Sequence, residues 1–278
     1  MKNTLVTTLL TILATLACSA AVYEGFDISV DANSTEEKIP VSSGATSSGW
    51  MSTWQQAEGM GFYDANDLKI EGMESVGGSV RLRGEQMENH VAKGTIMRQI
   101  DSSYTGTVYA SFRFQFGRIF KDSVIGLLFS IPSEENPTAK NSLFSFCPKR
   151  WGSPYGMTAI GKKVSKIQTG VPYKKMEPYL ALCKLENLPK LGKRGDVKVK
   201  MWVLNQAQAE HFAKVDFKEA ALNLAEEGEA PDQICQRTYG AVANSKASVF
   251  KGMIVSVFSF AVPQLYADEI HLSPDGFK

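Results

Sequence analysis

The sequence predicts an all-β protein, a two-sheet antiparallel jelly-roll sandwich with one short helical insertion. Short runs of alternating apolar and polar residues recur along the chain, turn residues separate them, and a single stretch shows helical spacing. The clearest run is Gly106 to Phe116. Val108, Ala110, Phe112, Phe114 and Phe116 fall on one side of an extended chain, and Thr107, Tyr109, Ser111, Arg113 and Gln115 fall on the other. Three successive inward phenylalanines carry more apolar surface than a lone hairpin covers, so this strand belongs to a sheet packed on a second layer.

The chain opens on a leader. Lys2 is its positive end, Leu5 to Leu16 its apolar stretch and Ser19-Ala20-Ala21 its small-residue cleavage site, so residues 1–21 read as a signal peptide and 22–278 as one mature domain. The apolar stretch is too short to span a bilayer, and no later one is long and uncharged enough, so the expectation is an exported chain without a transmembrane segment. Cys18 within Thr15-Leu16-Ala17-Cys18 keeps a second outcome open, lipidation at Cys18 rather than cleavage after Ala20 or Ala21.

Each following element has its own signal. Val22 to Asp27 reads as a first strand, and Ile28 to Met60 as a surface excursion rich in Ser, Thr, Gly and acids that holds Trp50 and Trp54. Ser79 to Arg83 and Thr95 to Ile100 alternate and are bounded by Gly or Asp. Val124 to Phe129 is continuously apolar, Leu143 to Phe146 follows a loop, and Trp151 to Gly156 turns repeatedly at its Gly and Pro. Tyr179 to Leu185 and Val197 to Val203 are further strands; the latter directs Val197, Val199, Met201 and Val203 inward and Lys198, Lys200 and Trp202 outward. Phe217, Ala220, Ala221 and Leu224 recur at helical spacing within Ala207 to Glu227. Met253 to Ala261 and Ala267 to Leu272 close the chain. A mature domain of this size suits a jelly roll better than an immunoglobulin-type fold.

Composition narrows the function. Without Lys2, the only charged leader side chain, the formal charge falls from +1 to 0, so average charge suggests no nucleic-acid partner. Charge is nonetheless segregated: Lys149 to Lys200 holds thirteen Lys and Arg against three acids, and Val22 to Glu74 two against ten. Such segregation suits either a basic face for anionic glycans or lysines that solvate hairpins and blunt edge strands. Cys147, Cys183 and Cys235 permit one disulfide and one remaining thiol, with the pair unassigned. His90, His211 and His271 lie far apart and away from the cysteines, which argues against zinc.

The ordered set Tyr23-Glu24-Gly25-Phe26-Asp27, Gly49-Trp50 with Trp54, Gly106 to Phe112, Gly126-Leu127-Leu128-Phe129, Gly195 to Val203 and Ala267-Asp268-Glu269-Ile270 resembles exported bacterial proteins with a concanavalin A-like, or laminin-G-like, jelly roll. It is similar to members associated with a PEP-CTERM sorting tail, but the sequence given has no such tail. The resemblance implies the sandwich and a setting outside the cytoplasm: periplasm, cell surface or medium. It also implies structural Ca²⁺ near the terminal strands, with Asp27 and Asp268 as candidate ligands. It implies little about activity, because this superfold hosts lectins, glycanases and structural modules alike.

Two chemistries compete. Glycanases on this sandwich resemble one another in placing acids alternately along one strand; here Asp268 and Glu269 are adjacent and therefore point to opposite faces, and no triad signature stands out. The expectation is therefore a noncatalytic binding or surface-associated structural module, with a glycan-degrading hydrolase and a lipid-anchored envelope protein as alternatives. Trp202, Lys198, Lys200, Trp151, Tyr155, Trp50 and Trp54 are the candidate ligand residues, since flat aromatic rings stack on sugar faces and nearby polar groups bind hydroxyls. The expected partner is a polysaccharide or glycoconjugate, anionic if the basic stretch takes part. The competing reading folds Trp50 and Trp54 back to seal the edge of the sandwich.

Overall fold

The computed structural model describes residues 21–26, 47–58, 60–64, 67–83, 85–86, 92–118, 123–133, 135, 142–151, 153–158, 173–190, 192–226, 240–245, 248–260, 262 and 264–277. In chain order the strands are β1 (Val22–Glu24), β2 (Gln55–Glu58), β3 (Met60–Asp64), β4 (Ser79–Arg83), β5 (Glu85–Gln86), β6 (Ala92–Gln99), β7 (Gly106–Phe116), β8 (Val124–Ser130), β9 (Phe144–Trp151), β10 (Ser153–Thr158), β11 (Pro178–Leu188) and β12 (Gly195–Asn205). Helices α1 (Gln206–Ala213) and α2 (Glu219–Glu226) follow, then β13 (Gly240–Ser245), β14 (Ile254–Phe260) and β15 (Gln264–Ser273).

The strands form two antiparallel sheets. The larger, eight-stranded sheet runs β13-β12-β11-β7-β15-β4-β3, with β1 added along β15; the seven-stranded sheet runs β10-β9-β8-β14-β6-β2, with β5 on β6. The chain is thus an all-β, two-sheet antiparallel jelly-roll sandwich. The core lies between the sheets. Val108, Ala110, Phe112, Phe114 and Phe116 of β7 face inward, and Ile125, Leu127 and Phe129 of β8 meet them from the opposite layer. Phe114 is the hub: its ring lies 5.7 Å from Phe112, 5.6 Å from Phe116 and Tyr179, and 5.7 Å from Tyr173, within the range where aromatic pairs attract.

The structure adds detail where sequence signals were thin. Residues 153–158 form β10 beside β9, and β2 falls within the segment read as a surface excursion. The helical insertion is two helices. Asn205 caps α1, its side chain accepting from Gln208 N–H at 2.9 Å while Gln208 Oε1 accepts from Asn205 N–H at 3.0 Å. No helix among the described residues is long and apolar enough to cross a membrane. Cys183 is a core thiol on the inner face of β11, whereas Cys18, Cys235 and the Cys147 side chain lie outside the described residues, as does the leader up to residue 20.

Because Phe114 contacts four other rings at zero exposure, Phe114→Ala is expected to cost about 3–5 kcal/mol in urea unfolding. Lys198→Ala, on an exposed site, should stay within about 0.5 kcal/mol.

Candidate functional site

The outer face of the larger sheet gathers the titratable groups. On β12 Lys200 and Trp202 point away from the core, as alternation requires, yet neither is exposed: Trp202 is 0% accessible and Lys200 3%. The helices cover them. Ala209 and Phe212 of α1, Leu222 of α2 and Ile70 form a second apolar layer with Leu180, Leu182, Trp202 and Leu204, and Phe277 packs its ring edge-on to Trp202 at 5.7 Å. Period-two alternation gives the face of a strand but says nothing of what covers that face. The expectation of an outward Trp202 open to ligand is corrected accordingly, whereas Lys198, on the same face, is exposed.

Beneath this cover two lysines stand opposite one another, Lys184 on β11 and Lys200 on β12. Like charges in direct cross-strand register repel, so they require anionic partners. Glu219, in the first turn of α2, supplies one to both, with Oε2 2.5 Å from Lys184 Nζ and Oε1 3.4 Å from Lys200 Nζ. Glu186 approaches Lys184 at 2.7 Å, and Lys200 donates to Asn223 Oδ1. Each ammonium also lies over an aromatic ring, Lys200 4.4 Å from the centroid of Trp202 and Lys184 5.5 Å from that of Tyr109. Burial pushes the Glu219 carboxyl up, but the hydrogen bond and charge of Lys184, with help from Lys200, outweigh it and hold it below the usual carboxylate range.

The second cluster sits on β15. Asp268 pairs in register with Arg113 and His271 with Ser111, so β15 places one more residue between these pairs than β7 does. That extra residue is a β-bulge, and Glu269 within it takes φ +49°, the left-handed region that non-glycine residues seldom enter. The consequence corrects the sequence reading: both adjacent carboxylates reach the same covering segment, residues 67–76. Asp268 accepts from Leu68 N–H at 3.2 Å and Glu269 N–H at 2.8 Å, while Glu269 accepts from Val76 N–H at 2.8 Å. Arg113, 1% exposed, donates to the carbonyls of Leu68 and Glu74, and its Nη1 lies 3.9 Å from Asp67. His271 Nε2 lies 3.4 Å from Glu269, and its ring stands 4.5 Å from that of Tyr23, its cross-strand neighbour. Gly25 leaves room here, since a Cβ would come within 2.8 Å of the Val76 carbonyl oxygen as well as against the Tyr23 hydroxyl.

The two carboxyls diverge electrically. Burial, then the charge of Glu269, pushes Asp268 up to about 9 against the main-chain donors and Arg113. Burial also acts on Glu269, but His271, the Val76 amide, Arg113 and Tyr23 overcome it and hold that carboxyl below its ordinary value. Asp268, the candidate Ca²⁺ ligand, is 0% exposed and its two carboxyl oxygens accept from the amides of Leu68 and Glu269; Asp27 lies outside the described residues. Among the described residues no group of three or more His, Cys, Asp or Glu is placed to hold a metal.

Trp50 and Trp54 lie elsewhere, along the margin of the sandwich. Trp54 is buried, its ring 5.6 Å from Phe26 and 5.4 Å from Trp50, and its Nε1 donates to Glu24 Oε2 at 2.9 Å. Trp50 Nε1 donates to Tyr23 O at 2.8 Å, and the Arg98 guanidinium, ion-paired with Glu24, lies 4.9 Å from the Trp50 ring centroid. Both tryptophans are therefore occupied by packing. Trp151 and Tyr155 fall on β9 and β10, and their side chains are outside the described set. Sequence reasoning passed over Lys184, Glu219 and Arg113, although Lys184 and Arg113 carried a signal as charged residues on the outward phase of apolar strands.

No protein-family model matches the sequence, and no curated protein matches it either. Solved structures resembling the fold include an alginate lyase, Aly36B, in complex with an alginate tetrasaccharide, 10% identical over 94% of this chain and 100% of that one, with a TM-score of 0.45. Another is the Emp47p carbohydrate recognition domain, 11% identical over 79% and 87%, TM-score 0.42. A third is a protein of unknown function from Shewanella oneidensis, 9% identical over 95% and 92%, TM-score 0.43. At these scores the sandwich assignment rests on the strand order itself.

Asp268 gives a pH signature. Its folded pKa lies above the ordinary value of 3.8, so its contribution to stability is complete below that value and is lost as pH rises through about 9. The urea midpoint of the native chain is expected to fall between pH 5 and 9 relative to Asp268→Asn, whose profile should be flatter; parallel profiles would contradict the assignment.

Proposed function

We propose that the protein is a noncatalytic carbohydrate-binding module, exported or surface-associated, with the outer face of the larger sheet as its recognition surface. The observation that carries the reading is the gathering of ammonium groups beside a partly accessible ring on one rigid face: Lys184 over Tyr109, Lys200 opposite Lys184 in register, and exposed Lys198 on the same strand face as Lys200. Rings stack on sugar faces, and the charges beside them select hydroxyl and carboxylate groups. The commitment of Asp268 and Glu269 to main-chain amides, at 0% and 4% exposure, favours binding over acid–base work.

A glycan-degrading activity is the second reading, and one observation favours it. The bulge turns the adjacent carboxyls of Asp268 and Glu269 to one side of β15, the pairing from which a general acid and a base are drawn.

The reading is tested by binding residues 22–278 to an array of neutral and acidic polysaccharides, with and without a calcium chelator. Binding to at least one class is expected to survive chelation, and Lys198→Glu should weaken acidic glycans roughly threefold to tenfold. No binding to any glycan would overturn it. Release of new chain ends from a bound glycan, abolished by Asp268→Asn, would establish the second reading instead.

A further inference from the structure

Helix α2 presents a carboxylate and an amide to a basic, aromatic patch that it does not itself build. Lys184 and Lys200 belong to neighbouring strands of a rigid sheet, and their opposition in register is fixed by the β11–β12 ladder whether or not the helix is present. Both are more than nine-tenths buried. The largely buried Tyr109 ring lies beside Lys184, with the Phe277 ring at 5.0 Å in a T-shaped contact. Into this patch α2 inserts Glu219, bridging both ammonium groups, and one helical turn later Asn223, whose carbonyl oxygen accepts from Lys200. Residues i and i+4 share a helix face, so the two polar tips enter together.

We infer that Lys184 and Lys200 form a subsite for the ring carboxylate of a uronic-acid sugar, and that Glu219 with Asn223 occupies it as an internal stand-in which the ligand displaces. The inference rests on the carbohydrate-binding reading and names the sugar class for the same face. A uronate offers what α2 offers: a carboxylate for two ammonium groups, with a neutral oxygen acceptor a few ångströms away. The stand-in suits removal. A helix of eight residues is well short of the length at which an isolated helix is stable in water, so α2 holds its form through its docking. Glu219 remains 31% exposed, which gives an incoming anion a path to its lysine partners. An occupied subsite of this kind lowers apparent affinity by the fraction of molecules in which it is open.

The test titrates the full mature chain with a tetrameric oligogalacturonate, a neutral cello-oligosaccharide of the same length and sodium sulfate, comparing the native protein with Glu219→Gln. Glu219→Gln is expected to bind the uronate about tenfold more tightly, because the competing charge is gone. Adding Lys184→Met should erase the gain, and the neutral oligosaccharide should be unaffected. Thermal melting establishes that each variant is folded; should Glu219→Gln unfold, Asn223→Ala, which keeps the carboxylate but removes the second contact, is expected to bind the uronate about threefold more tightly. A folded Glu219→Gln with uronate affinity within about twofold of native, while both bind other glycans, overturns this inference and leaves the carbohydrate reading standing. Sulfate binding as tightly as the uronate also overturns it, since the patch is then a simple anion site. Absence of all glycan binding in native and variant chains overturns both.

Discussion

The bulge in β15 is the constraint on which the outer face depends. A regular strand would send the side chains of Asp268 and Glu269 to opposite sides, burying one carboxylate between the sheets, where a lone charge costs several kcal/mol. The left-handed backbone at Glu269 brings both to one side. There they accept the amides of Leu68 and Val76, while Arg113, from the neighbouring strand, takes the carbonyls of Leu68 and Glu74. Backbone strain at one residue thus pins residues 67–76 across the sheet. Glu269 also anchors the edge strand β1, through the Tyr23 hydroxyl and the Tyr23–His271 ring pair.

The lysine cluster under α2 follows the same logic with opposite charge. Two ammonium groups in register are tolerable because Glu219 bridges them and Glu186 shares Lys184. In both clusters the sheet supplies fixed charges and a separate segment supplies the countercharge or the main-chain groups that satisfy them. The clusters differ in what satisfies them: the β15 carboxylates are bound to backbone amides, which a ligand does not imitate, whereas the lysines are bound to a carboxylate and an amide, which a sugar acid does. That difference is the reason the proposed subsite is assigned to the lysines rather than to the acids.

Much of the sandwich was legible in the sequence. The inward phase of β7 and β12, Ser79–Arg83 as β4, and the outward phase of Lys200 and Trp202 all follow from alternation. Among the strands the sequence did not announce, β2 reads Gln-Gln-Ala-Glu and β13 is built from small residues, so alternation is weak in both. The bulge had no signal, because Asp-Glu is an ordinary dipeptide and the left-handed residue is not the glycine that marks such a position. The burial of Trp202 was equally illegible, since its cover comes from helices that fold back over the sheet and from Phe277 near the end of the described chain, a tertiary fact that strand periodicity does not contain.

Amide hydrogen exchange of residues 22–278, with and without oligogalacturonate, tests the central claim most directly: that the outer face is a ligand surface whose lysines are held by a displaceable helix. The account requires faster exchange across residues 219–226 on binding, with β11 and β12 unchanged or slower. Exchange in α2 that slows or stays constant while the oligosaccharide is bound would contradict it, and would place the ligand elsewhere on the sandwich.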